Sequence, residues 1–281
     1  MHNDPDYRPL ELPKPRSFRY EERDRVGIIT LDRPDRYNAL TFEVYRELTD
    51  LFAVLDRRSL APNGARAVLI RGEGKAFCSG GDVSDIITRL FERDAEGLLM
   101  FTRMTGELIE QIRRCKLPVV TSIKRVAAGA GAVIALASDL RVMGKKSFFS
   151  FLFPQVGLSG ADMGASYLLP RVVGLGLASE ILLLGERVPA ERCLAIGLAN
   201  RVVDDAQPSD VDDAAFALAA KISAGPLFAN RMTKTMLQRE LDMAFGDAIE
   251  AEAQAQAICM QHPDFKEAND AWSEKRDPKW K

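Results

Sequence analysis

Residues 118–139, PVVTSIKRVAAGAGAVIALASD, decide how the rest of this chain is read. The stretch opens with the β-branched residues Val119, Val120, Thr121 and Ile123, the composition of a buried strand. It then turns through Ala127, Ala128, Gly129, Ala130 and Gly131 into an apolar, alanine-rich run that reads as a buried helix. Small residues at a strand-to-helix turn let another group approach the backbone. The first N–H groups of a helix have no intrahelical partner, so the turn is a candidate socket for an oxygen carrying negative charge. The plainer alternative is that the small residues only let helix and strand cross closely. One glycine-rich turn does not separate the two.

A second turn of the same kind lies upstream. AVLIR at 67–71 reads as a strand, GEGKAFCSGGD at 72–82 follows, and a helical stretch starts at Val83. Two strand–glycine–helix turns in one chain are expected to aim both sets of amides at one ligand. Further upstream, residues 25–32 alternate as a strand and residues 33–38 form a polar turn. Thr41 suits the N-cap of a helix to about residue 57, with Phe42, Val44, Tyr45, Leu48, Leu51 and Phe52 on its inner side. A loop at Pro62, Asn63 and Gly64 and a helix at 97–115 complete this half. Downstream come short strands at 140–143 and 147–151, a loop at 155–166, and helices broken by a last strand at 201–203. The pattern indicates an α/β layered domain capped by helices.

Composition removes whole classes of function. The chain has 281 residues, 47% hydrophobic, enough for one large domain with a helical appendage. A net charge of -2 argues against nucleic acid or a polyanionic membrane as partner. No run approaches about 20 apolar residues, so no membrane span is expected. The start, MHNDPDYRPLELPKPRSF, is proline-rich and acidic and reads as a loose arm, not a signal or transit peptide. The four cysteines, Cys78, Cys115, Cys193 and Cys259, show no CxxC spacing, so neither disulfides nor zinc is indicated. A cytoplasmic location is expected. The two histidines, His2 and His262, sit in no motif, which argues against a Ser-His-Asp triad, a Cys-His pair or a His-ligated metal. Carboxylates and backbone amides must then carry any chemistry.

The order VGIITLDRP, NAL, KAFCSGGDV, PVVTSIKRVAAGAGAVIALASDLRV, DMGASYLLPRVVG and EKRDPKW resembles the enoyl-CoA hydratase/isomerase (crotonase) family from about Phe18 to the C-terminus. The resemblance implies a crotonase-type ββα spiral core at 18–205, preceded by a flexible arm at 1–17. It further implies a helical C-terminal trimerisation region at 206–281, a homotrimer or dimer of trimers, acyl-CoA thioester substrates and no metal. No cofactor is implied beyond the coenzyme A of the substrate. By motif position, the N–H groups of Gly81 and Ala130 form the oxyanion hole that holds a thioester enolate. Ala130 stands where the family often has glycine, but an N–H donor needs no special side chain.

The acid–base residues depart from the family's pattern. Its hydratases carry a glutamate where this chain has Val133, and a second in the loop where it reads Phe153-Pro154-Gln155. Asp162 matches an aspartate that some branches, including dienoyl-CoA isomerases, naphthoate synthases and aryl-CoA dehalogenases, use on the substrate. The alternative for Asp162 is an N-cap of a helix at 163–173. Asp82 reads as a cap for the helical stretch at Val83, Asp139 as a partner of a backbone group or arginine, and Cys78 as a buried filler. For CoA, Arg33, Arg36 and Lys75 fit the phosphates and adenine by position. Ala76 and Gly80 lie where pantetheine passes, and Lys275 is placed to reach a neighbouring subunit's 3′-phosphate. Leu152, Phe153, Val156, Phe91, Leu98 and Met104 suggest an apolar acyl pocket.

The expectation is therefore an acyl-CoA enzyme of the hydratase/isomerase type, with Asp162 as acid and base. The alternatives are an isomerase or a thioester or C–C hydrolase of the same family, and a non-catalytic CoA-binding member. A dinucleotide oxidoreductase is disfavoured, because the Gly129 turn lacks G-x-G-x-x-G.

Overall fold

The computed structural model describes residues 11–59, 61 and 64–281. His2, most of the expected N-terminal arm and the Pro62-Asn63 turn lie outside the described residues.

Successive turns of chain alternate between two sheets before entering a helix. Strands β1 (Phe18–Arg23) and β2 (Val26–Leu31) lead to helix α1 (Phe42–Arg58). Strand β3 (Ala67–Gly72) leads to a wide turn at Val83–Ile87, the short α2 (Thr88–Leu90) and α3 (Ala95–Arg114). Strands β4 (Val119–Ile123) and β5 (Val126–Ala128) lead to α4 (Ala130–Ala137). Strands β6 (Leu140–Gly144) and β7 (Phe148–Ser150) lead to α5 (Ala165–Val173) and α6 (Leu175–Leu184). Strand β8 (Arg187–Pro189), α7 (Ala190–Ala195) and β9 (Arg201–Val203) close the spiral. The chain then runs through α8 (Pro208–Ser223), α9 (Leu227–Arg239), α10 (Phe245–Gln261) and α11 (Pro263–Glu274).

The larger sheet has the order β1-β2-β3-β4-β6-β9 and is parallel except at the β1–β2 edge. The smaller has the order β5-β7-β8, and bridges from Cys78 to Ala127 and from Leu40 to Gly81 extend the same pattern to the two earlier turns. Each turn of the spiral thus gives one segment to the large sheet, one to the small, and then a helix.

The large sheet is buried on both faces, which is why β2, β3 and β4 read as nearly continuous apolar runs. Val26, Ile28, Ala67, Leu69 and Val120 face Val211, Ala215 and Ala219 of α8. Ile29, Leu31, Val68, Ile70 and Val119 face the main core with α1, α3 and α4. Helix α1 is capped by Thr41, whose hydroxyl accepts the Val44 N–H, and α3 by Asp94, which accepts from Gly97.

Charged groups fasten the helical third to the spiral. Lys234 of α9 is buried and donates to Asp139 (2.7 Å) and to the Leu117 carbonyl (2.8 Å). Asp139 also accepts the Val119 N–H (2.7 Å), the backbone partner expected of it, and the cation that joins it is Lys234, not an arginine. At the chain end, Arg66 binds the Lys281 carbonyl, and the Lys281 N–H donates to Asp264 (2.9 Å). Arg16 and Ser17, the end of the expected arm, donate to the Glu47 carboxylate on α1.

Three strands go beyond the sequence reading. β1 is a polar edge strand, FRYEER, in which Phe18 alone is buried. β5 and β8 have three residues each, too few to show a period of two.

Candidate active site

The first turn is latched from behind by Asn38. This buried residue, held at φ 55°, accepts the Arg33 N–H (2.9 Å) and donates to the carbonyls of Glu73 (3.0 Å) and Ala76 (2.9 Å). The backbone continues the attachment. Ser79 N–H donates to Tyr37, Leu40 N–H to Gly80, and Asp82 N–H to Leu40. This ladder uses the Gly80 carbonyl and the Asp82 N–H, on either side of Gly81, while among the described residues the Gly81 N–H meets no acceptor.

The second turn lies alongside the first. Phe77 and Cys78 donate to the carbonyls of Lys124 and Val126, and Ala128 donates back to Cys78. Gly129, at φ 50°, ends β5, and its N–H is taken by Ser150. The Ala130 N–H, first of α4, has no acceptor among the described residues. A β-carbon on Gly131 would stand 2.7 Å from the Cys78 carbonyl oxygen, so glycine is required for the turns to touch. The two unspent amides occupy equivalent points in adjacent turns of one spiral.

Asp82 caps the helical segment after the first turn, as its sequence suggests. Its carboxylate accepts from Ser84 (2.9 Å) and Asp85 (3.0 Å). The Asp85 N–H foremost, then the Arg33 guanidinium, hold its pKa below the ordinary value. Arg33 bridges Asp82 (3.0 Å) and Asp85 (3.3 Å) and donates to the Ala39 carbonyl (2.7 Å). Among the expected CoA residues, Arg36 and Lys75 are exposed and have no ion pair among the described residues. Lys75 borders a cleft of about 480 Å³ with Lys124, Arg125 and Lys146. Ala76 and Gly80 are buried, Gly80 at φ 101°. Lys275 is exposed and caps the end of α11, remote in the chain from both turns.

The positions of the family's glutamates hold other chemistry. Val133 is fully buried in α4, and Gln155 donates to the Gly185 carbonyl from a short 3-10 turn, Phe153–Val156. Asp162 lies in the loop before α5. That helix begins at Ala165 with Gly164 as its N-cap and no side-chain cap bond, so Asp162 does not cap it. Its carboxyl has no cationic partner among the described residues. Burial pushes its pKa up, and the Met163 N–H, which donates to it, pulls the other way. Met163 takes φ 49° and Gly164 φ 86°, a left-handed pair that sets the approach of this loop.

Asn38 carries only a turn signal in the sequence, so its latching role is visible only in the structure. Tyr45 is buried in the core, as its place on the inner side of α1 implies, although its hydroxyl interrupts an apolar stripe. Its hydroxyl lies in the field of Cys78 and Asp162, and burial foremost, then these two groups, push its pKa well up. Cys78 is a buried filler, its thiol donating to the Asn38 carbonyl (3.2 Å) and its pKa pushed up to about 12 by burial.

A spiral of this order, with two glycine turns in contact, defines a crotonase-fold protein. The family model for enoyl-CoA hydratase/isomerase matches residues 21–281, and the chain belongs to that family. A relative from Rhodobacter capsulatus, provisionally named an enoyl-CoA hydratase, is 36% identical over 265 residues, covering 93% of this chain and 96% of its own. The 1,2-epoxyphenylacetyl-CoA isomerase of Escherichia coli is 28% identical over 255 residues, covering 91% and 94%. A crystal structure from Streptomyces coelicolor A3(2), also provisionally named an enoyl-CoA hydratase, superposes with a TM-score of 0.93 at 46% identity over 99% of both chains. The protein is an enzyme of lyase or isomerase type, from a family that acts on acyl-CoA substrates. No helix among the described residues is long and apolar enough to cross a membrane.

Proposed function

We propose that this enzyme moves a proton at the carbon next to an acyl-CoA thioester. The Gly81 and Ala130 N–H groups hold the thioester oxygen as charge develops on it, and Asp162 serves as both acid and base. The observation that carries the reading is Asp162: a partly buried carboxyl with no cationic partner among the described residues, its pKa raised by burial, the kind of environment that suits a carboxyl to proton exchange. One carboxyl suffices for a shuttle, since a group that removes a proton from one carbon can return it to the same face. Fixed amide donors cost no reorganisation during reaction, and loss of one typically slows such reactions by about 100- to 1000-fold.

Apolar side chains bare to solvent after Gly81 (Val83, Phe91, Leu98) and before Asp162 (Val156, Leu158) support an acyl-chain site between those segments. Arg36 and Lys75 are assigned to the CoA phosphates. Ala76 and Gly80 line the pantetheine path, and Lys275 reaches the nucleotide of a neighbouring subunit. Arg33, bound by two carboxylates, shapes the first turn more than it neutralises phosphate. Exposed Leu184, Phe245, Ile249, Met260, Phe265 and Trp272 suit burial between copies of the chain, in a homotrimer or dimer of trimers.

The test is mass spectrometry of crotonyl-, longer enoyl-, dienoyl- and aromatic-CoA incubated in D₂O and in H₂¹⁸O. Deuterium or ¹⁸O uptake by the wild type, lost in Asp162→Asn with acyl-CoA binding retained, is the expected result. Uptake unchanged in Asp162→Asn overturns the assignment.

A further inference from the structure

At the end of α4 away from the Ala130 amide, Arg141 of β6 is only 5% exposed. Its Nε donates to the Leu198 carbonyl (2.6 Å), and its Nη1 to the carbonyls of Ser138 (2.6 Å) and Leu136 (3.5 Å), where α4 ends. These carbonyls orient the guanidinium without neutralising it. Buried charges are normally paired, yet Arg141 forms no ion pair among the described residues. Burial foremost pulls its pKa down to about 10, with Asp139 opposing the shift and Arg113 adding to it, so the side chain stays charged at neutral pH. Its Nη2 meets no acceptor among the described residues, and protein does not enclose it.

Arg141 lines a cavity of about 430 Å³ between α4, α5 and α9, within the size range of small-molecule sites. Arg113 of α3, Arg171 of α5 and Lys234 of α9 stand on the same wall, against a single carboxylate, Asp139. Asp139 is spent on Lys234 and the Val119 N–H. Arg171 has Asp242 at 3.8 Å, whereas Arg113 has no ion pair among the described residues. Gln238 also lines the cavity, and its side-chain nitrogen has no acceptor among the described residues. Much of the remaining wall is apolar, including Leu136, Leu168, Val172 and Leu237. Helix α4 has eight residues, which puts the cavity roughly 12 Å along its axis from the Ala130 amide.

We propose that this cavity is a second binding site, separate from the candidate active site, for a free carboxylate that carries an apolar chain. The carboxylate accepts from the open edge of Arg141 and faces Arg113, while the chain lies against Leu168, Val172 and Leu237. Guanidinium groups bind carboxylates through charge-assisted hydrogen bonds, which are stronger where water is excluded. A bare inorganic anion would meet the guanidinium and leave the leucines uncovered. A neutral chain would cover the leucines and leave the buried cation unpaired. An amphipathic anion satisfies both parts of the wall. The site is independent of the roles given above to Asp162 and the two amides.

The experiment is calorimetric titration of sodium octanoate into the full chain, alone and in the presence of excess S-octyl-CoA, a thioether that cannot be hydrolysed. Octan-1-ol and inorganic phosphate are the comparison probes. The variants are Arg113→Gln and Val172→Glu, which leave the three carbonyl bonds of Arg141 in place, and thermal melts check their folds. Wild type is expected to bind octanoate whether or not S-octyl-CoA is present, and Asp162→Asn to bind it equally well. Arg113→Gln should raise the Kd by about tenfold or more, and Val172→Glu, which sets a carboxylate on the wall, should abolish binding. No uptake by wild type overturns the proposal, whether the cavity stays empty or a second copy of the chain fills it. Uptake only in the absence of S-octyl-CoA places octanoate in the acyl site and overturns it as well. Octanol binding as tightly as octanoate overturns the anionic class of ligand, and phosphate doing so overturns the apolar chain. A Kd within about twofold of wild type in both variants removes the site from this cavity.

Discussion

A β-carbon built on Gly80 stands 3.6 Å from the Ala130 amide nitrogen and 3.1 Å from the Ala128 carbonyl oxygen. The backbone of one glycine turn is thus the wall against which the other is packed. Gly80 also holds φ 101°, a region that side chains rarely enter. Gly80→Ala is expected to push the turns apart and misalign the Gly81 and Ala130 N–H groups. A displacement of about 1 Å can cost about 100-fold in rate, so kcat should fall by at least about tenfold with a smaller change in KM. Steady-state kinetics measures it, and an unchanged kcat would show that the two amides do not act together.

Asp162→Asn should separate activity from stability. Activity is expected to fall by roughly 100- to 10,000-fold as the acid–base group is lost. A carboxyl whose pKa rises on folding favours the fold when protonated. Its contribution is complete below the ordinary value of 3.8 and is lost as pH rises through the folded value. The variant should therefore melt at a higher temperature than wild type at pH 7, with the difference vanishing at acid pH. Melting curves from pH 3 to pH 8 provide the check, and a variant less stable at pH 7 contradicts it.

Asp82 carries the opposite sign. Its depressed pKa means that its contribution is present above 3.8 and is lost as pH falls through the folded value. Asp82→Ala removes the cap bonds to Ser84 and Asp85 and leaves Arg33 with Asp85 alone. Urea denaturation at pH 7 should show a loss of about 1 kcal/mol or more. The deficit should shrink toward pH 3; a deficit independent of pH would exclude the ionised carboxylate as its source.

Lys234→Met should be the most damaging change outside the site. It leaves Asp139 without its cation and the Leu117 carbonyl without its donor. Breaking a buried pair by removing one partner costs about 3 kcal/mol. Replacing Asp139 by asparagine in the same chain should recover part of that, and a double variant no better than the single would argue against coupling of the pair.

Much of the spiral was legible because its strands are buried on both faces and its helices carry clear caps. Thr41 marked the start of α1, and β-branched runs marked β3 and β4. Short elements fared worse. The three residues of β5 pair with β7 only once the spiral is closed, and nothing local distinguishes them from a loop. Asp162 could be read either as a cap or as a free carboxyl, because an aspartate immediately before an expected helix is ordinary in both roles. The start of α5 at Ala165 removes the capping role.

Sequence alone carries the longer strands and helices, the two glycine turns, the lack of carboxylates at Val133 and Phe153–Gln155, and the family likeness. These depend on residue type and local spacing, which the chain carries in one dimension. Tertiary structure leaves the Gly81 N–H unspent beside Asp82, whose N–H goes to Leu40, and the Ala130 N–H unspent beside Gly129, whose N–H goes to Ser150. It also decided that Asp162, in the loop before α5, stays partly buried with no cationic partner among the described residues. Burial and proximity between distant residues arise only when the spiral closes, and these set the charge and hydrogen-bonding capacity that the chemistry uses.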